Sequence, residues 1–186
     1  MSLLEFFEWL ATTPGSIALH ESLYVYQIVS TIHVVTLSLF VGTAVMLDLR
    51  LLGATLRGVP VSEVAARLRP WTMAGFLLMV VSGALLFYAN PPPRYLDLFF
   101  RAKMVLLVMA AINAWVFHAR VCRNVAEWDG RPVPPRTARM AGGVALVVWG
   151  AMIMSGRMIA YDWFDCDRQP QPAVVNVLAG CVPDSP

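Results

Sequence analysis

From Leu23 to Leu47 the chain reads LYVYQIVSTIHVVTLSLFVGTAVML, twenty-five residues without an Asp, Glu, Lys or Arg and with one imidazole, His33. A helix that crosses a bilayer needs roughly 20 mostly apolar residues at about 1.5 Å each. Three further runs meet that length, at about 71–89, 102–121 and 140–161, each nearly free of charge inside. The pattern predicts an all-α integral membrane protein, a four-helix bundle spanning 1–161, followed by a tail over 162–186.

A shorter element precedes the spans. Ser2-Leu3-Leu4-Glu5 has the form of a capping box, with the hydroxyl accepting from the Glu5 amide and the Glu5 carboxylate reaching back. Leu3, Phe6, Phe7 and Leu10 then share one side of a helix with Trp9 at its margin, and Pro14-Gly15 is read as its end. Such a helix lies flat in the membrane interface or caps the bundle. With Glu5 and Glu8 and no basic n-region, it does not read as a signal peptide. Small residues at helical spacing, Gly75 and Gly83, Ala110 and Ala114, Ala151 and Ser155, offer close helix approach. Asn90-Pro91-Pro92-Pro93 is read as a stiff turn.

The polar linkers orient the bundle. Residues 50–70 carry Arg50, Arg57, Arg67 and Arg69 against Glu63, and residues 120–139 carry five arginines against Glu127 and Asp129. Positive residues accumulate on the cytoplasmic side, so both linkers are expected inside and both termini outside. The tail is acidic, with Asp162, Asp165, Asp167 and Asp184 against Arg168. Cys166 and Cys181 would close a loop of about 15 residues, stabilising by roughly 3 kcal/mol, in an oxidising compartment. The alternative is two unpaired thiols. Cys122 is read as a free thiol at the inner end of the third span. The composition agrees: 58% hydrophobic, 14% charged and a net charge of +2, against about 25% charged in soluble domains. No basic run or phosphate loop points to nucleic acid or nucleotide.

An ionisable side chain inside a span is by default a functional-site hypothesis. His20 precedes the first span and reads as a headgroup-facing residue. His33 lies about ten residues into the first span and His118 about sixteen into the third, a depth difference of roughly 9 Å on these boundaries. Two imidazoles on one haem iron would have to approach at one depth, so the pair admits shared ligation or separate roles. Arg50, Arg101, Lys103 and Arg157 are candidate partners for haem propionates, a quinone carbonyl or an acidic partner, against the alternative of snorkelling to water. Asn113 is a buried amide in need of a partner. Met152, Met154 and Met158 are soft copper ligands or ordinary packing. No CxxC, HExxH or Ser-His-Asp pattern is present.

Five segments carry a family resemblance over about residues 3–161. They are ESLYVYQIVSTIHVV, VGTAVMLDLRLLG, LRPWTMAGFLLMVVSGALLF, FFRAKMVLLVMAAINAWVFH and SGRMIAYDW. They resemble an uncharacterised bacterial inner-membrane family of small four-span proteins. More distantly, the layout is similar to the membrane protoporphyrinogen oxidase, which pairs a first-span histidine with a lysine opening a later span and is associated with haem b. It is also similar to the copper-resistance D family. His33 and Lys103 occupy the comparable places.

Three functions are carried forward. The first is a haem b-binding redox or electron-transfer protein using His33 and His118, with a quinone or extracytoplasmic redox partner. The second is a cofactor-free accessory subunit of a membrane complex, or a homo-oligomer. The third is a metal or small-solute transporter. The expected location is the bacterial inner membrane.

Overall fold

In a computed structural model, which describes residues 2–120, 122–161 and 172–179, the chain is all-α among the described residues. Its helices are α1 (Leu3–Ala11), α2 (Pro14–Glu21), α3 (Val25–Leu52), α4 (Val61–Ala89), α5 (Pro91–Leu96), α6 (Leu98–Arg120), α7 (Arg136–Ile159) and α8 (Ala173–Ala179), with a 3₁₀ turn at Cys122–Glu127. The expected disulfide of Cys166 with Cys181, and the acidic tail residues, lie outside the described residues.

The four long helices, α3, α4, α6 and α7, are each long and apolar enough to cross a membrane. All are longer or shifted relative to the apolar runs. α4 starts at Val61, ten residues before the apolar run, because its first turns are amphipathic: Val61 and Val64 are buried while Ser62 and Glu63 are exposed. A helix continues wherever its backbone bonds and one buried face persist, whereas an apolar run ends at the first charge.

The capping box is present: the Ser2 amide donates to Glu5 Oε2 at 2.9 Å and the Glu5 amide to Ser2 Oγ at 3.2 Å. Two expectations about proline are corrected. Pro14-Gly15 opens α2 rather than ending α1, and Pro91 opens α5 rather than forming a bare turn. Both prolines stand in the first turn, where the missing N–H is no loss and φ is already helical.

α3 packs against α4 on one side and α7 on the other, and α7 carries α6. The order is therefore α4–α3–α7–α6. Two glycines bring backbones together: a Cβ on Gly75 would stand 3.0 Å from the Phe40 amide nitrogen, and one on Gly142 would stand 2.9 Å from the Asp48 carbonyl oxygen. Phe87 and Phe100 stack at 5.3 Å where α4 and α6 flank α5. We call this the α5 end. α1 and α2 cover it: Phe7 meets Phe87 and Tyr95 at 5.2 and 4.9 Å, and Ser16 Oγ donates to the Tyr88 carbonyl. The opposite, linker end is closed by Leu51, Val61, Trp128 and Ala138.

Candidate functional site

His33 stands eight residues into α3, about 12 Å from the α5 end. It is half-buried, and its ring is turned onto α4. Nδ1 lies 3.1 Å from the Met79 carbonyl oxygen and 3.0 Å from Ser82 Oγ. A carbonyl can only accept, so Nδ1 carries the proton. The Ser82 hydroxyl donates to the Leu78 carbonyl at 2.7 Å, which leaves its oxygen free to accept from His33. In the neutral ring Nε2 then keeps its lone pair, and no hydrogen bond engages it among the described residues. Gly83 makes room for the ring: a Cβ there would stand 3.1 Å from His33 Cε1.

Register brings a second group to this level. Phe40 meets Trp149 at 5.2 Å, and Asp48 meets Gly142, so α3 and α7 run antiparallel with a fixed stagger. Continued toward the α5 end, that stagger sets His33 level with residues 156–157. Lys103, half-buried on α6, places its ammonium 4.0 Å from the Cβ position of Gly156 and within electrostatic reach of His33. It has no hydrogen bond or ion pair among the described residues.

The other candidates fall elsewhere. Arg101 donates from Nε to the Tyr95 carbonyl at 2.8 Å and from Nη1 to the Leu178 carbonyl at 2.5 Å, with its guanidinium 4.9 Å from the Tyr95 ring centre. It ties α5 and α8 to α6. Arg157 is exposed and donates to the Tyr161 hydroxyl at 3.0 Å. Asn113 finds its partner across the α6–α7 contact, donating to the Ala141 carbonyl at 3.0 Å.

Arg50 is wholly buried at the linker end. Its Nε donates to the Val59 carbonyl at 2.8 Å and Nη2 to the Arg131 carbonyl at 3.1 Å, while Nη1 is buried without a partner among the described residues. It locks the two linkers together, far from His33. His118 is exposed, five residues beyond the Asn113–Ala141 contact toward the linker end. Asp48 is already fifteen residues, about 22 Å, from His33 along α3, and Ala141 is level with it. His33 and His118 are therefore separated by more than about 20 Å along the bundle. Metal–nitrogen bonds of about 2 Å require two axial imidazoles to nearly meet. The structure does not bring these two together.

Several polar groups were not singled out from sequence. The Met79 backbone carbonyl and the Ser82 hydroxyl anchor His33. Trp149 donates its indole N–H to Asp48 Oδ2 at 3.2 Å, and Thr72 donates to Thr43 at 2.9 Å across α3 and α4. The only sequence signal was a hydroxyl or carboxyl within an apolar run, and that does not say which helix it faces. No group of three or more His, Cys, Asp and Glu converges among the described residues.

No curated protein and no solved structure matches this chain. Residues 6–162, which include all four long helices and both His33 and Lys103, match the family of unknown function DUF6644, and the chain belongs to that family.

Proposed function

We propose that this protein is a haem b-binding redox protein of the bacterial inner membrane, in which His33 would hold the iron through Nε2. The observation that carries this reading is the His33 environment. Its Nδ1–H is held by a backbone carbonyl and a hydroxyl, and its Nε2 lone pair is unengaged among the described residues, in an apolar helix pair. Ligating histidines almost always donate their other ring N–H in this way, which fixes the tautomer and the ring plane. Lys103 supports it, as an ammonium at the same depth without a side-chain hydrogen bond or ion pair among the described residues, fit to pair with a propionate. Bound at this place, haem would supply one-electron chemistry. His33 would hold it, Ser82 and Met79 would orient His33, and Lys103 would offset the propionate charge. His118 takes no part as a second ligand of the same iron. Its side chain suits the headgroup region or a partner. With the arginine-rich linkers on the cytoplasmic side, both termini face outward, toward a quinone or an extracytoplasmic redox partner.

The test is a reduced-minus-oxidised spectrum of the full chain purified in mild detergent after haem-sufficient expression. A Soret and an α-band are expected, lost in His33→Ala and retained in His118→Ala. A wild-type spectrum without either band refutes the reading.

A second reading, an accessory subunit, is favoured by α6. None of its residues is buried, and Val105, Val108, Ile112 and Trp115 are all more than half exposed. A helix supported on one side by α7 presents a wide face to lipid or to another subunit. Retention of a defined membrane partner by wild type, lost on Trp115→Ala and Ile112→Ala, would support it.

A further inference from the structure

At the linker end, α3 and α7 leave an open groove of about 490 Å³ lined by Leu52, Arg136, Arg139 and Met140. Arg136 and Arg139 are both exposed, and neither side chain has a hydrogen bond or ion pair among the described residues. In the linker that precedes α7, the carboxylate of Asp129 is spent on the Ser62 amide and hydroxyl. The groove therefore holds two uncompensated guanidinium groups. Its remaining walls are apolar: Leu52 lies 3.8 Å from the Cβ position of Gly143, and Met140 is 69% exposed.

We infer that this groove binds the headgroup of an anionic phospholipid. Guanidinium groups meet phosphate oxygens through paired N–H donors. Arg136 and Arg139 lie three residues apart on one helix face, so one phosphodiester reaches both. Met140 begins the apolar run of α7, which sets the two arginines at headgroup level and the groove's apolar wall at the level of the glycerol and upper acyl chain. Inorganic phosphate would satisfy the arginines but gain nothing from Leu52 and Met140. A zwitterionic lipid would bring its own ammonium against them. Charge and apolar contact together select an anionic lipid. This inference rests on the four helices crossing a bilayer and is independent of haem.

The test uses the full chain in neutral detergent, with dioleoyl phosphatidylglycerol, dioleoyl phosphatidylcholine and inorganic phosphate as separate probes. Retention is read by native mass spectrometry and checked by the shift in thermal unfolding. Each guanidinium held directly against the phosphate in the groove is expected to strengthen retention about fivefold, the equivalent of one net hydrogen bond. Arg136→Gln with Arg139→Gln is therefore expected to retain phosphatidylglycerol on the order of 20-fold less than wild type. Arg136→Lys with Arg139→Lys should recover part of it. Arg69→Gln with Arg120→Gln removes the same charge at the same end and should change retention little. Equal retention by wild type and the Arg136/Arg139 double variant would overturn the inference. So would equal retention of the two lipids, or a loss as large in the Arg69/Arg120 control. Displacement of phosphatidylglycerol by millimolar phosphate would overturn the lipid assignment in favour of a free-anion site.

Discussion

The ring of His33 is held by two acceptors on α4, and each contributes separately. Ser82→Ala removes the hydroxyl but leaves the Met79 carbonyl, so the tautomer survives and the ring loosens. A neutral hydrogen bond contributes about 1 kcal/mol, and a destabilisation of that size is expected by thermal unfolding in detergent. In a haem-loaded sample the same variant should shift the α-band or the midpoint potential without abolishing binding. That response would distinguish an orienting residue from a packing one. Arg50 is the opposite case, a buried cation with a purely structural set of partners. Arg50→Ala should destabilise by about 3 kcal/mol or more, since it opens a cavity and strands the carbonyls of Val59 and Arg131. Trypsin cleavage within residues 53–60 should rise with it. Arg50→Lys cannot reach both carbonyls with one fork, so it should recover only part of the loss.

Helix pairs here are set by where a backbone can approach another. Gly142 faces the Asp48 carbonyl at a distance that no Cβ tolerates, and the opposing atom is backbone, which cannot turn aside. Gly142→Ala should therefore destabilise by about 1–3 kcal/mol, read as a fall in melting temperature. Gly150→Ala on the same helix should be near neutral, because a Cβ there meets nothing within 4 Å. The element boundaries teach a related lesson. The capping box at Ser2 and Glu5 was legible because it is local chemistry, complete within four residues. The starts of α2 and α5 were not, because Pro14 and Pro91 read equally as terminators or as first-turn residues. Tertiary neighbours make the choice: Tyr88, to which α2 is tied by Thr13 and Ser16, and Phe7, which packs on Tyr95 of α5.

At the scale of the whole molecule, the order α4–α3–α7–α6 gives a direct prediction. Thr43 and Thr72 hydroxyls lie 2.9 Å apart, so Thr43→Cys with Thr72→Cys should cross-link readily under mild oxidation. His33→Cys with His118→Cys should not, and efficient cross-linking of that pair within one chain would refute the stagger between α3 and α7. The number of long helices, their apolar character and the identity of the polar residues inside them were all determined by the sequence, because a bilayer demands length and hydropathy, both properties of a segment alone. The sequence likewise marked His33 and Asn113 as polar residues in need of a partner and Lys103 as a candidate cation for a propionate. It could not say that His33 would turn onto Met79 and Ser82, that Arg50 would clamp linkers, or that His118 would stand exposed at the far end. Those outcomes depend on rotation and stagger between helices. Both are decided by a few close contacts, Gly75 on Phe40 and Gly142 on Asp48, which exist only once the helices have met.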